Sequence, residues 1–75
     1  MQFFSNPIGD QLSLKQLNDV DQILIYNSSG MLIKTIAIDH RHEIELDTKD
    51  WHSGLYIFVL LSDAQAVQTF KMVKA

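Results

Sequence analysis

Ile23-Leu24-Ile25-Tyr26-Asn27-Ser28-Ser29-Gly30-Met31-Leu32-Ile33-Lys34-Thr35-Ile36-Ala37-Ile38 carries the strongest local structural signal in the chain. Two isoleucine-rich runs flank a four-residue turn, Asn27 to Gly30. Asparagine suits the first turn position because its side chain can hydrogen-bond the backbone two residues on. Glycine suits the last because it accepts φ > 0 at no steric cost. A type I turn followed by a left-handed glycine is a common three-residue hairpin connection. The stretch therefore predicts an antiparallel hairpin, residues 23–27 with 31–38, pivoting on Gly30. A helix broken at Gly30 fits less well, because β-branched runs around a turn cluster favour strands.

Working outward, the chain reads as more of the same. Phe3-Phe4 suggests a short edge strand, and Ser5-Asn6-Pro7 a turn, since proline cannot donate to a ladder. Gln11-Leu12-Ser13-Leu14-Lys15 alternates polar and apolar, with Leu12 and Leu14 expected inward. Two turns of helix at most would fit residues 13–17. Glu43-Ile44-Glu45-Leu46-Asp47 alternates with Ile44 and Leu46 inward and three carboxylates out. The loop 48–54 ends on Gly54, and its Trp51 is expected to cap one open end of the core. Leu55-Tyr56-Ile57-Phe58-Val59-Leu60-Leu61 is apolar at both parities, which predicts a central strand covered on both faces. After a turn at Ser62-Asp63-Ala64-Gln65, the last strand carries Val67, Phe70, Met72 and Val73 as its apolar members. Seven short strands result: 3–4, 11–15, 22–27, 31–38, 43–47, 55–62 and 66–74. Their spacing predicts an all-β fold, a small Ig-like antiparallel β-sandwich in a single domain spanning 1–75.

Composition bounds what such a domain can do. Seventy-five residues make one small domain, which buries only about 60% of its unfolded surface. The chain has no cysteine, so neither disulfide nor thiolate metal site helps, and the 47% hydrophobic residues must supply the core. A net charge of −3 argues against nucleic acid as a partner. No apolar run approaches the 18 or so residues of a membrane span. The first eight residues lack the basic and long apolar regions of a secretory signal peptide. An exported parent would carry its leader on a portion preceding Met1.

Chemistry is thinly represented. His40 and His42 at i, i+2 could share a strand face and hold a metal with Asp39 or Glu43, but solvated loop histidines explain them better, and nothing brings His52 near. Glu43, Glu45 and Asp47 read as a solubilising stripe guarding an edge rather than hydrolytic carboxylates. Asp47 and Asp50 lack the glycine-centred Asp-x-Asp loop of a calcium site. Ser53 beside His52 has no elbow motif. Neither enzyme activity nor a cofactor is expected. The last strand differs: Lys71 and Lys74 are basic, and no acidic side chain follows Asp63. Lysines protecting an edge and lysines read by a partner explain this equally well.

These residues also carry a resemblance. Ile25-Tyr26-Asn27-x-x-Gly30-x-Leu32-Ile33 resembles the Ile-Tyr-Asp-x-x-Gly-x-x-Val centre of the C-terminal sorting domains (type A) of the type IX (Por) secretion system. Phe4-Ser5-Asn6-Pro7 resembles the family's aromatic followed by a Pro-Asn-Pro-type turn. Leu46-Asp47 and Trp51-His52-Ser53-Gly54-Leu55-Tyr56-Ile57-Phe58-Val59 are similar to its Leu-Asp…Leu-x-x-Gly-x-Tyr-x-Val segment, with Trp51 where leucine is usual. Lys71-Met72-Val73-Lys74 is similar to its Lys-x-x-Lys close. The chain departs at Asp63-Ala64-Gln65, where members often carry glycine, which leaves that turn's type open, and at Asn27, where aspartate is commoner.

The resemblance implies a secretion signal that directs a fused N-terminal cargo through the type IX system. Cargo folds in the periplasm, meets the outer-membrane translocon, and reaches the cell surface or the medium, usually after a sortase-like peptidase removes the label. On this reading the translocon docks on Lys71, Met72, Val73, Lys74 and Ala75, expected at a sheet margin with both lysines outward. Asn6, Pro7, Asn27, Gly30 and Gly54 are structural turn residues. An Ig-like accessory module binding carbohydrate or protein through an exposed Trp51 and Tyr56 is the alternative, and a stop codon directly after Ala75 would favour the sorting label.

Overall fold

Alternating side chains build the first of two sheets. In the computed structural model, which describes residues 8–75 in full and residues 2–3 by backbone alone, β1 (Gln2–Phe3) pairs antiparallel with β2 (Gln11–Lys15), and β2 with β5 (Ile44–Asp47). The expected turn at Asn6-Pro7 and the strand position of Phe4 lie outside the described residues. Opposite residues Leu12↔Leu46 and Leu14↔Ile44 turn the same way, and all four are buried.

The second sheet has the order β4-β3-β6-β7, all antiparallel: β3 (Gln22–Asn27), β4 (Leu32–Ala37), β6 (Gly54–Ser62) and β7 (Gln65–Lys74). Its inward residues Ile23, Ile25, Tyr56, Phe58, Leu60 and Met72 join the four from the first sheet in one core. The architecture is the expected all-β sandwich; among the described residues it has no helix and is built from six strands of four residues or more plus the two-residue β1.

The opening hairpin forms as its chemistry dictates. Gly30 sits at φ 83° and its N–H donates to Asn27 O at 3.0 Å. Asn27 Oδ1 accepts the N–H groups of Ser29 and Met31, both at 3.0 Å. An extra residue in β4, Ile33, shifts the register between Ile25 and Tyr26, a bulge within the ladder and separate from the turn.

One expectation needs correction, and two details go beyond the sequence pattern. β6 is central, but among the described residues no second layer covers its outer face: Leu55, Ile57, Val59 and Leu61 are half-buried, shielded by neighbours on β3 and β7. Val67, one of the apolar members of the last strand, lies outside the core. A register shift between Leu60 and Leu61 leaves it unopposed and 58% exposed. The strand expected at 11–15 forms as read, in place of a helix over 13–17. β2 ends at Lys15, Gln16 takes a left-handed φ of 58°, and this kink turns Leu17 into the core despite its parity.

Candidate functional site

The lysine-bearing end of β7 is the segment singled out for recognition, and its geometry follows from strand parity. Phe58↔Phe70, Tyr56↔Met72 and Gly54↔Lys74 are cross-strand pairs on the inward face. Phe70 stacks on Phe58 with ring centroids 5.0 Å apart, and Met72 is fully buried. Lys71 and Val73 point the other way; Lys71 is exposed and Val73 is 47% exposed.

Lys74 therefore faces inward, where the sequence reading had it outward beside Lys71. It is 7% exposed, and its Nζ donates to Gly9 O at 2.8 Å. A buried ammonium needs an acceptor, and a backbone carbonyl supplies one here. The same carbonyl accepts the Thr48 hydroxyl at 2.6 Å, while Thr48 N–H donates to Asp10 O at 2.9 Å. Thr48 is wholly buried. It continues the inward parity of Ile44 and Leu46, the signal by which the sequence could have revealed it.

The margin of β7 beyond Met72 is also occupied. Ile8 forms a parallel bridge with Lys74. Its N–H donates to Val73 O at 2.7 Å, and Ala75 N–H donates to Ile8 O at 3.4 Å. Ile8 is fully buried. A lone apolar residue between turn formers gives no pattern, so sequence reasoning passed over it.

The remaining candidates are scattered. His40, His42 and His52 are exposed, and His42 Nδ1 lies 2.7 Å from Asn18 Oδ1. Among the described residues no three histidine or carboxylate side chains converge on a possible metal position. Glu43 lies 3.8 Å from the Lys15 ammonium, both partly exposed. One open depression is lined by residues that include Asp19, Asp21, His40, Arg41, His42 and Asp63. The Arg41 guanidinium is engaged by the carbonyls of Ile38 and Ala37, at 2.9 and 3.0 Å. Trp51 caps the core as expected, with its ring centroid 4.7 Å from Tyr56 and 6.2 Å from Phe58. Tyr56 is only 6% exposed and its hydroxyl donates to His52 O at 2.7 Å. The two rings pack the sandwich end and do not form an exposed platform.

A family model described as the secretion system C-terminal sorting domain matches residues 2–75. No curated protein and no solved structure matches the chain.

Proposed function

The chain belongs to the secretion system C-terminal sorting domain family, and from that membership we propose how its parts act in export. The domain is a C-terminal sorting signal for type IX secretion. It is a folded address with no catalytic step of its own. Its partners are the outer-membrane translocon and the sortase, and its passenger is fused on the N-terminal side. The passenger passes through the periplasm before it reaches the surface or the medium, and a sortase-like peptidase removes the label.

The translocon docks on the segment Lys71 to Ala75. β7 is a terminal strand of its sheet, and a strand at a margin can accept another by main-chain pairing. Within the segment Lys71 and Val73 offer side chains outward, while Met72 and Lys74 hold the strand in register through the core and Gly9. Ala75 offers its main chain. The turns at Asn27, Gly30 and Gly54 shape the body that presents this strand; Gly54 has φ 141°, open to glycine and strained for other residues.

The family match across residues 2–75 is the observation that carries this reading. The test fuses the domain to a fluorescent passenger in a host with type IX machinery. Lys71→Glu, at an exposed position, should leave the fold intact and the passenger in the periplasm. Export at the wild-type level would discard β7 as the docking strand. Removing Met72 onward is the poorer test, because it deletes a core side chain along with the signal.

A further inference from the structure

We infer that Ile8 and Gly9 form a latch on the docking strand, an intramolecular occupant that a partner must displace before it pairs with Val73 and Ala75. The inference rests on the reading of β7 given above and adds a regulatory contact to it. Strand addition uses outward-facing main-chain groups. At this end of β7 those groups are Val73 C=O and Ala75 N–H, and Ile8 already holds both. A partner strand and Ile8 therefore compete for the same two hydrogen bonds.

Two side chains fasten the latch. Lys74 Nζ and Thr48 Oγ1 both donate to Gly9 O, at 2.8 and 2.6 Å. Lys74 belongs to the docking segment itself, so the segment grips the chain that covers it. Ile8 adds a fully buried side chain, inserted among core residues. Yet the bridge is a single pair, and Ile8 itself belongs to no strand. A one-residue bridge is the kind of contact that opens locally without global unfolding.

Position gives the latch its consequence. The bridge lies between β1 and β2, beside the Gln11 end of β2, whereas β1 enters the sheet opposite Lys15. Opening the contact exposes Val73 C=O and Ala75 N–H together, and closing it withdraws them. The partner chemistry that fits is an extended strand offering one N–H and one C=O at the spacing that Ile8 provides.

The test opens and closes the latch in the passenger fusion. Lys74→Met keeps the buried stem and removes the Nζ bond to Gly9. Amide exchange at Ile8 should quicken about tenfold, with Ile25 and Phe58 unchanged, and export should accelerate. Slower export of Lys74→Met with its fold intact would mean that the ammonium is read directly, which overturns the latch. The pair Ile8→Cys and Lys74→Cys closes it, because bridge partners lie within reach of a disulfide and the chain has no other cysteine. The oxidised pair should hold the passenger in the periplasm and reductant should release it. Export of the oxidised pair at the reduced pair's rate, or failure of the two thiols to join on oxidation, would overturn the proposal. Lys71→Glu separates the two readings. If it does not affect export, β7 is not the docking strand; if it blocks export while the oxidised pair passes, only the latch falls.

Discussion

At the turn between β6 and β7, Asp63 and Ala64 hold φ at 53° and 64°. Two consecutive left-handed residues closing a two-residue hairpin define a type I′ turn, whose twist matches that of the flanking strands. Asp63 suits its place, and its N–H donates to Asp21 Oδ2 at 2.7 Å. Ala64 does not, because its Cβ crowds the backbone in this region. The left-handed conformation costs an L-residue roughly 1–2 kcal/mol. Glycine avoids that strain but loses more chain entropy on folding, roughly 0.5–1 kcal/mol. Ala64→Gly should therefore stabilise by about 0.7 kcal/mol, the difference of the two central values. For a domain this small, that raises the melting midpoint by about 3–6 °C. The assay is thermal unfolding followed by circular dichroism on both proteins in one buffer. Ala64 is exposed, so no packing is lost that could mask the gain. A midpoint that stays put or falls would refute the turn assignment and the strain assigned to Ala64.

Other substitutions probe the rest of the frame. Gly30→Val should destabilise by roughly 1–3 kcal/mol; a Cβ there would meet no atom within 4 Å, so an unchanged melting midpoint would contradict backbone strain as the cause. Thr48→Val keeps the buried shape and removes one donor to Gly9 O. The urea midpoint should fall by an amount equivalent to about 1–2 kcal/mol with the slope unchanged, and an unshifted midpoint would mean that the bond adds nothing. Phe58→Ala empties the centre of the core at a cost of roughly 3–5 kcal/mol, a large part of a small domain's stability, and should abolish a cooperative melt or lower its midpoint sharply. A mild effect would place the core elsewhere.

Much of this fold is legible in the sequence because its cues are local. Asn27 and Gly30 specify their turn by side-chain and backbone chemistry alone, and the alternation around Leu12, Leu14, Ile44 and Leu46 assigns inward faces without knowledge of the partner strand. Where the cue is non-local, the reading fails. β6 is apolar on both faces because flanking strands half-bury its outer side chains, and local pattern cannot separate that from a second layer. Leu17 is in the core because Gln16 adopts a left-handed φ, which glutamine does not advertise.

The candidate site shows the same division. Lys71 outward follows from parity with Val73. Lys74 inward follows from parity with Phe70 and Met72, but its charge argued for solvent and outweighed that cue. Ile8 at the margin depends on a contact spanning almost the whole chain, and no window around residue 8 contains it. The left-handed Ala64 is silent for a related reason: the two-residue hairpin imposes the conformation.

The central claim is that this β-sandwich is sufficient to address a passenger to type IX export. The most direct measurement joins residues 1–75 behind a fluorescent passenger bearing an inner-membrane leader and scores its location in otherwise identical hosts with and without the type IX machinery. The passenger should leave the cell only where the machinery is present and stay in the periplasm where it is absent. Retention in both hosts, or release in both, would contradict the account.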